Sequence, residues 1–244
     1  MKRLAVAVAF LTAIPLRVEA EARDVGRAAL CFPIVGAALG AVLAGLGALL
    51  GRALPAPLVA VLVVAAGALA TGALHLDGLA DTADGFGGGR DAEHALRIMK
   101  DHAVGAYGAT ALVLALLVKA AALHALLAGG AAFTWLPIAG ALSRWVTVPL
   151  ARLPSARGSG LGASVSRHVG DVEVGGATAI ALAVSLGVGG LRGAVAALAA
   201  FLFAVAFGAL CRRRIGGVTG DTLGAAAEIA EALVLVVGVG CGAP

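Results

Sequence analysis

Long apolar runs, broken by short polar stretches, dominate the chain. A helix needs about 20 apolar residues to cross a bilayer. Seven windows meet or approach that length: 28–51, 56–76, 104–128, 131–151, 175–191, 193–211 and 223–241. The fifth is short and is divided from the sixth only by a Gly/Arg corner near Gly190–Arg192. An earlier run, Leu4–Leu16, carries Pro15 and is followed by Arg17. It is too short to span and lacks a small-residue cleavage site, so it reads as an interfacial helix rather than a signal peptide. The pattern predicts an all-α fold: a polytopic integral membrane helix bundle with about seven transmembrane helices. Residues 1–244 form a single transmembrane domain in which 1–27 is an interfacial N-terminal segment.

Composition strengthens the membrane reading. Hydrophobic residues make up 61% of the chain and charged residues 13%, against about 45–50% and about 25% in soluble domains. No water-soluble shell can be built from so few polar side chains, which excludes a disordered chain and a soluble nucleic-acid binder. The 36 glycines suit helices that approach closely in lipid. Cys31, Cys211 and Cys241 are far apart and form no paired motif, which excludes a disulfide scaffold. Charge supplies the orientation. With the N-terminus in the cytoplasm, Lys2, Arg3, Arg17, Arg23, Arg27, Arg90, Arg97, Lys100, Arg152, Arg157, Arg167 and Arg212–Arg214 fall inside. Only Arg52 and Arg192 fall outside, as the positive-inside rule requires. The long connections 77–103, 152–174 and 212–222 then share the cytoplasmic face.

Those connections carry the candidate chemistry. In His75-Leu-Asp-Gly-Leu-Ala-Asp-Thr-Ala-Asp-Gly85, Asp77, Asp81 and Asp84 share one helix face by i, i+4, i+7 spacing. Like charges so close repel, and a hard divalent cation such as Mg²⁺ relieves them. The alternative is a solvated acidic helix end, although its intervening residues are Leu, Ala and Gly. The run Gly85-Phe-Gly-Gly-Gly89 is not expected to be helical throughout, and is either a phosphate-approaching loop or a hinge. Lys100 and Asp101 precede the third span. Lys100 either snorkels or faces the carboxylates to bind phosphate.

In Gly216-Gly-Val-Thr-Gly-Asp-Thr, either Thr219 or Asp221 could cap the last helix. Glu228 and Glu231 share one face by i, i+3 spacing inside an apolar span, where ionisable groups usually mark a site. They could complete a metal shell or bind a substrate hydroxyl or amide. Arg144, beside Ser143, either pairs with one of these glutamates or binds an anion. Lys119 and His124 are expected to snorkel toward the outer interface, and His94 and His168 carry no motif.

At these residues the chain resembles the cobalamin synthase family, the adenosylcobinamide-GDP ribazoletransferases. The resemblance rests on residues 75–85, on Ile98-Met-Lys-Asp101 with Gly105 and Gly108, and on Thr219-Gly-Asp-Thr-Leu-Gly-Ala225 with Glu228. Phe10-Leu-Thr12, Phe32-Pro-Ile34 with Gly36, Ser143-Arg144 and Gly160-Leu-Gly162 support it in order along the chain. Departures are Lys100 where the family often has Arg, His102 where it often has Ser, and Ala13 where it often has Arg. The resemblance implies Mg²⁺-dependent transfer at the inner membrane. A hydroxyl of α-ribazole (or its 5′-phosphate) attacks the cobinamide-bound phosphorus of adenosylcobinamide-GDP, and GMP leaves. It implies catalytic roles for Asp81, Asp84 and Asp221, and metal ligation by Asp77, Asp81 and Asp84. Substrate binding then falls to His75, Lys100, Asp101, Arg144, Thr219 and Glu228. Partners would be the two substrates and membrane lipid, with room for a homo-oligomer or a complex with other cobalamin-assembly enzymes. Two rivals stand beside this reading: a lipid enzyme like the CDP-alcohol phosphotransferases, suggested by Asp81-x-x-Asp84-Gly85, and an ion-coupled transporter using Glu228 and Glu231.

Overall fold

The computed structural model describes residues 2–157 and 167–242. Among them are ten helices: α1 (Lys2–Leu11), α2 (Ala22–Ala28), α3 (Phe32–Leu50), α4 (Ala56–Ala70), α5 (Leu74–Gly88), α6 (Ala92–Ile98), α7 (Ala106–Ala128), α8 (Ala132–Leu150), α9 (Asp171–Ile215) and α10 (Gly220–Gly240). The all-α expectation holds for these residues, where the only extended pairing is an isolated bridge between Ser155 and Val218. Helix α1 is short and packs on α2 and α3.

Helix α8 is the axis of the bundle. Fourteen of its 19 residues are buried, so it is enclosed on nearly every side rather than amphipathic. Helices α3, α9 and α10 surround it. Small residues set the spacing: Gly36 of α3 and Gly140 of α8 face each other, and a β-carbon on either would collide with the other's carbonyl. Gly40 meets Leu136 in the same way, and Gly238 of α10 lies on the Trp135 ring. Close backbone approach of this kind is how helices associate in lipid, where apolar burial between them gains little. Outward-facing Val42, Leu69, Leu117 and Leu198 leave an apolar surface suited to acyl chains.

Four continuous helical segments are long and apolar enough to cross a membrane: Ala22–Leu50, α7, α9 and α10. Helices α4 and α5 pass the same test only as a pair bent by 91°. The helix expected over 56–76 is therefore shorter than expected, ending at Ala70. Helix α4 stops at Ala70, where Thr71 returns its hydroxyl to the carbonyls of Gly67 and Ala68 and the Ala13 amide takes the Ala70 carbonyl. Gly72 and Ala73 follow in left-handed conformations that no helix continues. The connection 77–103 is consequently not a loop but contains most of α5 and all of α6.

The Gly/Arg corner has a sharper form than expected. Helix α9 runs through 175–191 and 193–211 but is broken at Gly190, with φ 54° and ψ −133°. Gly193 packs directly on the backbone of Ser185, so the second arm folds back along the first. Thr178 and Leu182 on one arm and Ala194 and Leu198 on the other line a shared hollow beside Trp145.

Glycine packing gives a direct test. Gly36→Ala should force α3 from α8 and cost about 1–3 kcal/mol or more, read as a lower melting temperature in detergent. Gly45→Ala, on the same helix with open space around it, should be neutral or stabilise by about 0.5–1 kcal/mol.

Candidate active site

Helix α5 lies across the N-terminal ends of α7 and α10, bent by 91° from α4. Its seat on α10 is close: Gly78 packs on the Asp221 backbone, leaving no room for a β-carbon. Its seat on α7 is polar. The buried Asp84 carboxylate accepts the Gly105 amide at 2.7 Å and the Gly108 amide at 2.8 Å, capping α7 from a neighbouring helix. A carboxylate at a helix N-terminus is favoured by both the orphan amides and the dipole. At the other end of α5, Arg214 donates to the carbonyls of Phe86 and Gly89 and stacks on the Phe86 ring.

Two connecting segments complete the site. The Val218 amide donates to the Pro154 carbonyl at 2.8 Å and the Ala156 amide to the Val218 carbonyl at 2.9 Å, with Gly217 pressed against the Pro154 carbonyl. This short parallel pairing delivers Arg157 to Asp221 at 2.9 Å. Of the two candidate caps of the last helix, Thr219 is the one used. Its hydroxyl accepts the Thr222 amide at 3.2 Å, while Thr222 reaches back to the Thr219 amide at 2.8 Å. That leaves Asp221 free to face Arg157. Arg157 also donates to the Met99 carbonyl at 3.3 Å, and its Nε is buried without a partner among the described residues.

These groups form the polar end of a cavity of 370 Å³. His75, Asp77, Thr219, Asp221 and Arg157 line one side, and Phe10, Phe32 and Val148 belong to an apolar wall. Asp81 stands one turn along α5 from Asp77. Burial, reinforced by the Asp77 and Asp221 carboxylates, raises its acid to about 6. A crowded set of carboxylates facing a single guanidinium favours an added cation.

The site differs from the expected one in several respects. Asp77, Asp81 and Asp84 do not converge as a ready-made metal trio, because both Asp84 oxygens are engaged by the start of α7. Among the described residues, no group of three His, Cys, Asp or Glu is placed to hold a metal ion. Asp221, from the start of α10, is the carboxylate that comes near Asp81 along with Asp77, without the three closing into a metal cage. The run Gly85–Gly89 is not a phosphate loop: it stays helical to Gly88. Its glycines admit Met99 at Gly85, Tyr107 at Gly87 and Ala95 at Gly89. Lys100 and Asp101 are exposed on the connection between α6 and α7, next to the Met99 carbonyl that Arg157 uses. The Gly160-Leu-Gly162 motif lies outside the described residues.

Deeper in the bundle, four charged side chains meet. Lys119 of α7 contacts Glu228 at 2.7 Å and Glu231 at 2.8 Å, both on α10. Arg144 of α8 pairs with Glu231 and donates to Ser143 Oγ at 2.8 Å. The expectation that Lys119 snorkels outward is corrected: its ammonium turns inward because two carboxylates await it. Substrate binding by Arg144 and Glu228 is not supported either. Their cavity holds only 30 Å³, room for a water molecule or two, and the two cations already neutralise the two anions. Sequence reasoning missed Arg157, which belongs to no motif. It also missed the pairing of Lys119, whose position in the middle of an apolar helix was a usable signal.

Removing one member of such a set strands a buried charge, at a cost of about 3–5 kcal/mol. Lys119→Met should therefore sharply reduce the yield and melting temperature of the solubilised protein. Adding Glu228→Gln should recover part of that loss, and strictly additive losses would show that the ion pair is not formed.

Comparison with known proteins extends over nearly the whole chain. The family model described as cobalamin-5-phosphate synthase matches residues 3–239. The adenosylcobinamide-GDP ribazoletransferase of Sinorhizobium medicae is 41% identical, covering 93% of this chain and 92% of that protein. The protein of the same name from Geotalea daltonii is 39% identical over 97% and 96%. That from Chlorobium phaeobacteroides is 42% identical over 98% of each. No solved structure matches.

Proposed function

The chain belongs to the cobalamin-5-phosphate synthase family, a family of transferases in cobalamin biosynthesis, and we propose that it works as an adenosylcobinamide-GDP ribazoletransferase at the cytoplasmic face of the inner membrane. The observation that carries the reading is the Arg157–Asp221 pair beside Asp77 at the polar end of the 370 Å³ cavity, with Asp81 close enough to feel all three. In the reaction, a hydroxyl of α-ribazole or its 5′-phosphate forms a bond to the cobinamide-linked phosphorus. The bond from that phosphorus to GMP breaks, GMP takes the electron pair, and the hydroxyl proton is released. Transfer of this kind depends chiefly on positioning and charge neutralisation.

The side chains fit those tasks. Arg157, with its fork aimed at the acids and its Nε free, would bind phosphate oxygens bidentately. The apolar wall including Phe10 and Phe32 suits a flat aromatic base, while His75 and Thr219 offer polar contacts at the rim. Asp77, Asp81 and Asp221 present hard oxygen donors of the kind Mg²⁺ uses together with substrate phosphates, so no three-carboxylate cage is required. Bound there, Mg²⁺ would neutralise the diphosphate. Asp84 is assigned to holding α5 against α7. An ion-coupled transporter gains nothing from Glu228 and Glu231, since Lys119 and Arg144 occupy them.

For the membrane arrangement we propose seven crossings: α3, α4, α7, α8, the two arms of α9, and α10. The N-terminus is then cytoplasmic and the C-terminus external. The support is that residues 10–32, 75–78, 147–157 and 219–224 meet around one cavity, so the basic connections gather at one end, whereas Arg192 reaches the Gly242 carbonyl near the C-terminus.

Activity is tested by GMP release from adenosylcobinamide-GDP and α-ribazole across a Mg²⁺ series. Chelation should abolish turnover. Asp77→Asn, Asp81→Asn and Asp221→Asn should each lose about 100-fold or more, beyond what an indirectly placed partner of a metal costs. Arg157→Ala should lose about 10- to 150-fold, matching about 1.5–3 kcal/mol for a charge-assisted contact. Arg157→Lys should recover only part. Wild-type turnover and Mg²⁺ dependence in all three Asn variants would refute the metal assignment. Topology has its own readout. In a chain whose native cysteines are replaced, Arg90→Cys and Arg213→Cys should resist an impermeant thiol reagent in intact cells, while Arg52→Cys should react.

A further inference from the structure

A second hollow opens at the same end of the bundle and meets the first at Val169. Arg3 of α1, Arg23 and Arg27 of α2, Arg152 after α8 and Arg167 ahead of α9 border an open space of 540 Å³. These arginines come from four separate stretches of chain, so the fold, not local sequence, gathers them.

The acidic groups beside them are already engaged: Asp24 on α2 feels Arg23 but pairs with Lys2 at 3.0 Å. Glu173 lines the hollow but is buried and engaged, accepting the Gly170 amide at 3.0 Å. Arg152 reaches Asp171 at 3.2 Å and the Val169 carbonyl at 3.3 Å. Arg3, Arg23, Arg27 and Arg167 form no ion pair among the described residues, and the sequence at 158–166 contains no Asp or Glu. Helix geometry adds to the imbalance. Arg3 and Arg23 occupy the first turns of their helices, and Arg167 precedes the start of α9. A helix start carries partial positive charge, so cations are disfavoured at each of these places. Five guanidiniums gathered there are stabilised by an anion, and their planar forks match phosphate oxygens.

The level of the hollow points to the source of that anion. Arg27 stands just before α3, Arg152 just after α8, and α9 begins at Asp171, so the arginines sit where helices enter the apolar layer. Val172, on the rim, is 68% exposed, and Leu4 on α1 is 42% exposed. Basic groups beside exposed apolar ones, at the mouth of a helix bundle, present themselves to the phosphates of the bilayer surface.

We propose that this hollow is an anion site for a phosphate-bearing group, filled either by an anionic phospholipid headgroup or by a soluble phosphate of the same chemistry. The site shares only Val169 with the substrate cavity, and the proposal does not rest on the proposed reaction.

Binding to the full-length protein in detergent, by native mass spectrometry or melting temperature, provides the test. The probes are phosphatidylglycerol, phosphatidylcholine and pyrophosphate. The wild-type protein should prefer phosphatidylglycerol to phosphatidylcholine by about tenfold or more. Arg23→Gln/Arg27→Gln/Arg167→Gln should lose that preference, whereas the charge-matched Arg90→Gln/Arg212→Gln/Arg213→Gln should keep it. Arg167→Gln alone is measured alongside, so a triple variant that does not fold still leaves a readout. Phosphatidylglycerol binding that pyrophosphate does not displace assigns the site to lipid. Displacement, or pyrophosphate binding with the same variant dependence, assigns it to soluble phosphate. The proposal is overturned if neither anion binds better than phosphatidylcholine, or if removing these arginines changes binding no more than removing the control arginines.

Discussion

Four charged side chains inside an apolar bundle cannot be left unpaired, and the placement of three helices follows from that. Lys119 on α7, Arg144 on α8, and Glu228 and Glu231 on α10 must meet, since each alone would cost several kcal/mol in a low-dielectric interior. Their meeting fixes the rotation of α7 and α10 about the central helix. Glycine contacts then fix the distances: Gly36 on Gly140 brings α3 against α8, and Gly238 brings α10 against Trp135. Charge sets the register and small residues set the separation, a division of labour suited to lipid, where apolar surfaces by themselves specify little.

At one end of the bundle this frame leaves the starts of α7 and α10 exposed as orphan amides and carries α5 across them. The two acidic motifs answer different needs there. Asp84 and Thr219 satisfy helix starts, while Asp77, Asp81 and Asp221 stay free to crowd one another. The structural acids thus hold the chemical ones in place. The paired segments at Pro154–Ala156 and Gly217–Val218 add the opposing cation, Arg157. An acidic cluster, a basic fork and an apolar wall meet only because three connections far apart in sequence share one end of the molecule.

The arginine-lined hollow lies at that end too, and Val169 borders both spaces. Positive charge at this end therefore has two settings. Arg157 is directed inward to carboxylates, whereas Arg3, Arg23, Arg27 and Arg167 are directed to an open space at the level where helices enter the membrane. Their chemistry is similar and their neighbours are not, so one guanidinium faces a carboxylate while the others face open space.

Apolar run lengths marked the all-helical class, the long helices other than α5 and the corner at Gly190, because hydropathy and backbone hydrogen bonding are local properties. Local spacing likewise marked the motifs around Asp77, Asp81 and Asp221. It could not tell which carboxylate would be spent on a helix start: Asp84 shares a face with its neighbours, and only the approach of Gly105 and Gly108 takes it away. The bend at Thr71–Ala73 was hidden for a similar reason: the apolar run passes through Leu74 and Leu76, and only the seat of α5 on α7 and α10 turns the chain there. Arg157 and Lys119 gained their partners from residues 64 and roughly a hundred positions away. Pairings across such separations depend on how helices are arranged in space, and no periodicity along the chain records that arrangement.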